Sequence, residues 1–354
     1  MEFWNLETLW FVLIAVLWLG YFFLEGFDFG VGTLLPFLSR DEVDRRVMVN
    51  SIGPVWDANE VWLLVAGGAT FAAFPEWYAT LFSGFYLALL LILLALIARG
   101  VAFEYRGKRD SVRWRAWWDR AIFWGSALPA LLWGVAWASI LRGTPIDASG
   151  EYVGSFFDLL HPYALLGGLM TLSLFTLHGA VFLMLKTSGD ITERARRAAL
   201  RLWWPAAGTT LAFLSWSYYT AMTTGERGVV PDLVPITGLA AVLVVAWLVR
   251  ERYDGWAFVA TGLAILLTMA TVFLNLYPRV MVSSIDPDFS LTIFNASSTT
   301  YTLTVMSWVA LIMTPVVIGY QAWSYWVFRK RVSREQFLAP AAAGEPSGEQ
   351  HDGS

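Results

Sequence analysis

Cysteine is absent from the 354 residues, which excludes disulfides, thiolate-held iron–sulfur clusters and cysteine zinc sites. Histidine is almost absent too: His161, His178 and His351 are the only three. Charge is scarce. Asp, Glu, Lys and Arg make up 15% of the chain, against about 25% in a typical soluble domain. The net charge of -4, with no basic stripe outside the loops, argues against a nucleic-acid partner. What fills the chain is apolar: 57% hydrophobic residues and a mean hydropathy of +0.55. The 20 Trp suit the interface between bilayer and water. Together these point to an all-α polytopic membrane protein.

Windows of about 17–25 apolar residues match a helix crossing a hydrocarbon core of about 30 Å. Nine are predicted, near 8–38 (overlong), 53–73, 79–98, 121–141, 161–185, 203–222, 233–249, 256–275 and 303–328. Basic residues then fall into alternate loops. Arg40, Arg45 and Arg46 follow the first span; Arg99, Arg106, Lys108, Arg109, Arg113, Arg115 and Arg120 follow the third. Lys186 to Arg201, Arg250 with Arg252, and Arg329 to Arg334 follow the fifth, seventh and ninth. The other loops are poor in Lys and Arg, so the N-terminus is expected outside and the C-terminus in the cytoplasm. Met1-Glu2-Phe3-Trp4 lacks a basic stretch and no cleavage site follows, so the first span is expected to be retained. Residues 1–337 should form one integral-membrane helical bundle, and 338–354, rich in Ala, Gly, Pro, Glu and Ser, a disordered cytoplasmic tail. No internal repeat is evident.

Against that background two stretches stand out: Leu24-Glu25-Gly26-Phe27-Asp28-Phe29-Gly30 and Gly53-Pro54-Val55-Trp56-Asp57-Ala58-Asn59-Glu60-Val61-Trp62. An ionised acid near the bilayer centre costs on the order of 3 kcal/mol, so four acids there call for a reason. Counting helix rise from Arg40 places Asp28 about 18 Å above that arginine, and Asp57 about 16 Å above Arg46. Asp28 and Asp57 are thus expected to face each other at similar depth across a hairpin. The spacing of Glu25 with Asp28, and of Asp57 with Glu60, puts each pair on one helix face. Two like charges in a poorly solvated site do not both ionise cheaply, so each pair is expected to hold a proton, as a relay requires. The plain alternative is capping or packing; it weighs as much as function for Glu60 and least for Asp57. Glu104 and Asp119, beside Arg99, Arg106 and Arg120, read first as interfacial ion-pair partners.

The remaining candidates carry less. His161 and His178 lie 17 residues apart on one span, too far to bracket a metal. A hydrogen-bonded interhelical histidine outweighs a lone haem ligand. Trp114, Trp117 and Trp118 read as interfacial belt. Gly167-Gly168, Gly125-Ser126 and Ala66-Gly67-Gly68-Ala69 allow close helix contact, within the chain or against a partner. The stretch 276–302 reads as an external loop that packs.

The chain resembles subunit II of the cytochrome bd-type quinol oxidases. The resemblance rests on Gly26-Phe27-Asp28-Phe29-Gly30-Val31-Gly32, on the stretch from Gly53 to Trp62, on Ala73-Phe74-Pro75, and on Phe82-Ser83-Gly84-Phe85-Tyr86. Phe103-Glu104-Tyr105-Arg106, Trp114 to Asp119, and Ser283-Ser284 with Asn295-Ala296-Ser297-Ser298 also fit, so it extends to about Phe337. It implies a bacterial cell-membrane complex that oxidises quinol or menaquinol and reduces dioxygen to water without pumping. It also implies a heterodimer with a haem-bearing subunit I holding haem b and haem d. Small single-span accessory subunits, a structural quinone and bound membrane lipid can accompany it. The second subunit supports haem assembly and conducts cytoplasmic protons. In that likeness Asp57 lies on the proton route, Glu25, Asp28, Glu104 and Glu60 are candidates to feed it, and Trp56, Asn59 and Trp62 support it. Position 25 is Glu where some relatives carry Asp, which lengthens the carboxylate's reach. No redox catalytic residue or metal ligand is expected in this chain. A proton- or cation-coupled secondary transporter is the main rival, since it too places acids on broken helices.

Overall fold

The computed structural model describes residues 5–224 and 233–338. The expected tail beyond Leu338, the first four residues and most of the loop at 223–232 lie outside the described residues. The first helix, α1 (Leu6–Leu38), starts on Asn5, whose side chain accepts from the Thr8 N–H at 2.8 Å. It continues unbroken through Glu25, Asp28, Gly30 and Gly32. At about 1.5 Å per residue it is some 50 Å long, well over the hydrocarbon thickness.

The chain then departs from the expected hairpin. A separate polar helix, α2 (Glu42–Ile52), is capped by Asp41 and stops at Gly53-Pro54, before α3 (Trp56–Ala73). Proline lacks an N–H and breaks the register, so helix rise cannot be counted from Arg46 to Asp57. The third expected span also shifts. Pro75 opens a short α4 (Pro75–Gly84), and α5 (Tyr86–Tyr105) follows after Phe85. The apolar helix thus runs seven residues further in than the 79–98 window, and Arg99 lies inside it, not in the basic loop beyond.

The rest cover the expected windows, with α6 and α8 starting nine and thirteen residues ahead of theirs so that Arg113 to Arg120 and Arg194 to Arg201 are helical and not in loops: α6 (Val112–Arg142), α7 (Pro162–Lys186), α8 (Asp190–Thr224), α9 (Leu233–Arg250), α10 (Asp254–Leu276) and α11 (Thr300–Val327). Among the described residues seven helices are long and apolar enough to cross a membrane. The other two expected spans are the helices α3 and α8, which are too polar on average to qualify. At the centre α1 packs on α7 so closely that a Cβ on Gly30 would sit 2.7 Å from the Gly179 Cα. Gly125 lets α6 lie equally close to Arg99 of α5.

The two ends of the bundle differ in chemistry. At one end ion pairs tie helix termini together: Arg106 to Glu42 at 2.7 Å and Asp119 at 2.6 Å, Arg40 to Asp190 at 3.0 Å, Arg196 to Asp254 at 2.9 Å. Asp119 is therefore the paired interfacial acid it was read as. At the other end the 276–302 stretch packs as expected, with Val280, Met281, Ile293 and Ala296 buried and Ser284 N–H donating to the Thr144 carbonyl at 2.9 Å.

Arg334, beyond α11, clamps this segment to α2, donating to Asp41 at 2.7 Å and also to Asp44. The Arg334 hydrogen bond holds the Asp41 carboxyl down at about 2, below its usual 3.8. A group depressed on folding contributes fully above its unfolded value and loses that contribution as pH falls through the folded one. Hydrogen exchange of residues 328–338 is therefore expected to be pH-independent in protection above about pH 4 and to lose protection as pH approaches 2. Protection unchanged at pH 2 would exclude the clamp.

Candidate functional site

The buried centre of the bundle holds an ionic cluster drawn from three helices. Arg99 of α5 is fully buried and its guanidinium donates to Glu25 of α1 and to Glu60 of α3. Its guanidinium carbon also lies 4.7 Å from the Phe29 ring centroid. Glu25 and Asp28 are fully buried one turn apart on α1. The Asn59 amide of α3 donates to Asp28 Oδ2 at 2.7 Å. On its other side Asn59 Oδ1 accepts from the Tyr325 hydroxyl at 2.8 Å and from Gln321 at 3.4 Å, both of α11. Trp62 Nε1 completes the frame by donating to Gln321 Oε1 at 2.8 Å.

These bonds fix the direction of the Asn59 amide. Its oxygen faces two donors on α11, so its NH2 must face Asp28. One oxygen of each acid is held and the other, Glu25 Oε2 and Asp28 Oδ1, is buried with no partner among the described residues. A proton added there displaces no existing bond. Full ionisation would leave three carboxylates around one guanidinium, two charges more than Arg99 balances.

The expected site residues thus divide. Glu25, Asp28, Glu60, Asn59 and Trp62 come together, while Asp57 does not join them. It lies in the exposed first turn of α3, two residues and about 200° round the helix from Asn59, so Asp28 faces Asn59 and not Asp57. Trp56 packs its ring 5.0 Å from Phe103. Glu104 is exposed and is not the partner of Arg99 or Arg106, whose carboxylates are those named above. Arg99, Gln321 and Tyr325 were not foreseen. Gln321, the one amide side chain on the otherwise uncharged α11, with Tyr325 four residues on, was the available signal for the last two. Tyr325→Phe removes one hydrogen bond from a buried acceptor. It is expected to cost about 1 kcal/mol, read as a small drop in the thermal midpoint; an unchanged midpoint would mean the contact contributes nothing.

His178 is the interhelical histidine anticipated: its Nδ1 lies 2.6 Å from the Thr261 hydroxyl of α10 and its ring stacks on Phe258 at 4.6 Å. His161 caps α7 by accepting from the Tyr163 N–H. Among the described residues no group of three or more His, Asp or Glu side chains is arranged to hold a metal ion.

A helical bundle with seven helices long and apolar enough to cross a membrane among its described residues, and with an acid–guanidinium cluster buried between them, defines an all-α polytopic membrane protein. Residues 6–328 match the family model for cytochrome bd terminal oxidase subunit II, and the chain belongs to that family. It is 46% identical over 332 residues to the cytochrome bd ubiquinol oxidase subunit 2 of Bacillus subtilis, covering 94% of this chain and 98% of that one. To the cytochrome bd-I ubiquinol oxidase subunit 2 of Escherichia coli K12 it is 37% identical over 363 residues, covering 93% and 96%. A chain of the bd oxidase structure from Geobacillus thermodenitrificans shares the fold, with a TM-score of 0.71 at 17% identity, covering 92% of this chain and 99% of that one. The protein is a multi-pass protein of the bacterial cell membrane.

Proposed function

We propose that this chain is the second subunit of a quinol oxidase complex that reduces dioxygen to water, and that its buried acids pass protons from the cytoplasmic face to a haem-bearing partner subunit. The observation that carries this is the Glu25–Arg99–Glu60 cluster with Asp28 bridged through Asn59 to α11. It stores protonatable oxygens deep in the bundle, about 10 Å along α5 from the ion pairs of Arg106. The concentration of basic residues around those ion pairs makes that end cytoplasmic by the positive-inside rule. With α3 and α8 counted, nine spans and an external N-terminus follow.

Haem in the complex supplies the reduction of dioxygen, and this chain's residues do not fit it. His178 is packed among Phe23, Phe27 and Phe258, and His161 is occupied as a helix cap. The chain's part is to accept, hold and release protons. Asp28 Oδ1 and Glu25 Oε2 can each take a proton while Asn59 and Arg99 keep the carboxyls in place. Asp57, exposed on α3, is positioned to hand protons outward. The face it shares is apolar and unpartnered in the single chain: Leu303 is the only buried residue of α11, and Val61, Leu64 and Val65 of α3 are exposed. That face suits a hydrophobic partner subunit.

Purification through a tag on this chain is expected to bring haem absorbance with it, and its absence would end the oxidase reading. Asp57→Asn is expected to keep the haem and lower oxygen consumption by about tenfold or more. Normal consumption with normal haem would remove Asp57 from the route.

A further inference from the structure

A second feature lies on the ion-paired half of the bundle, apart from the acid cluster. There α6, α7 and α8 enclose an apolar groove of about 720 Å3, floored in part by the end of α1. Such a volume falls in the range that takes a specific small ligand. Its lining runs along α6 from Phe123 to Leu131, about 12 Å of helix. Pro205, inside α8, is one of the lining residues. Arg201 of α8 lines the groove at the inner edge of the expected sixth span, and no described residue pairs with its guanidinium. Of the other inner-end arginines on α8, Arg194 bonds Asp44 and the Leu38 carbonyl and Arg196 bonds Asp254, while Arg197 is exposed and does not line the groove. Arg201 is exposed, so its guanidinium is open to an anionic group brought by an occupant of the apolar walls. The groove also holds hydroxyls: Ser173 and Thr209 lie 2.8 Å apart, and the Thr33 oxygen is buried with no partner among the described residues.

We infer that this groove binds one anionic glycerophospholipid from the leaflet at the ion-paired face, with its phosphodiester on Arg201 and an acyl chain laid along α6 and α7. The charge complementarity selects this occupant. A zwitterionic lipid brings its own cation to Arg201, and a neutral quinone head brings no charge to meet it. Basic pockets between spans on the cytoplasmic side are where anionic headgroups bind. The inference does not depend on the oxidase reading, because it concerns a groove that shares no residue with the acid cluster.

Trp124 lines the groove and is exposed, so it reports occupancy by fluorescence. The purified complex, in phosphatidylcholine nanodiscs, would be titrated with phosphatidylglycerol or phosphatidylcholine carrying brominated acyl chains. Brominated phosphatidylglycerol is expected to give a saturable extra quench that Trp124→Phe abolishes. Unlabelled phosphatidylglycerol should compete it away and phosphatidylcholine should not. Arg201→Gln is expected to weaken binding about fivefold, with Arg201→Lys close to wild type. Equal quenching by both brominated lipids in the wild type, which needs no variant to fold, would reduce the groove to ordinary lipid contact and overturn the inference. So would extraction of a quinone from the groove, or wild-type binding by Arg201→Gln.

Discussion

Arg99→Gln is expected to abolish most assembled complex. The substitution leaves Glu25 and Glu60 facing each other without a counter-charge in a buried site. Breaking a buried pair from one side costs about 3–5 kcal/mol, a large fraction of the 5–15 kcal/mol that holds a typical protein together. The amount of this chain in the membrane, measured by immunoblot, should fall accordingly. The cost arises from stranded charge, not lost packing, so it should be reversible. The triple variant Arg99→Gln, Glu25→Gln, Glu60→Gln removes all three charges and is expected to recover most of the yield. It should not recover oxygen consumption, because two protonatable groups are gone. Equal loss in single and triple variants would show that Arg99 acts through shape alone.

Asp28→Asn should do the opposite: leave assembly intact and stop proton movement. Asparagine is close to isosteric with aspartic acid and can still accept from the Asn59 amide through its own oxygen, so the frame to Tyr325 and Gln321 persists. What disappears is the titrating oxygen, Asp28 Oδ1. Haem content is expected to stay near wild type while oxygen consumption falls about a hundredfold, the scale on which a positioned proton-transfer group contributes. Asp28→Glu, which restores the acid at a longer reach, should recover part of the rate. If both variants behaved alike, geometry and not protonation would be the property that matters.

Much of the cluster was legible from residue type and position. Acids inside apolar runs are costly enough that Glu25, Asp28 and Glu60 declared themselves, and Asn59 followed as their neighbour. Three physical effects hid the rest. Hydropathy windows average over a break, so the Phe85 interruption went unseen and Arg99 was counted with the cytoplasmic loop seven residues early. The Gly53-Pro54 break separates α2 from α3, so depth counted across it made Asp57 face Asp28. Which face of α3 turns inward is decided by packing against α1, and that packing selects Asn59. The partners on α11 are remote in sequence: 266 positions separate Tyr325 from Asn59. The alternation of basic loops, by contrast, was readable directly, since each inner-end arginine obeys the same electrostatic preference.

The most direct test follows protons and electrons separately in one turnover. Complex carrying Asp28→Asn would be reconstituted in liposomes with the cytoplasmic face exposed to a pH-sensitive dye, reduced with quinol and given one pulse of oxygen. Proton uptake from the cytoplasmic side is expected to slow about a hundredfold relative to wild type, with haem reduction by quinol unaltered. Uptake at the wild-type rate, with the haems intact, would contradict the claim that the buried acids of this chain carry the protons.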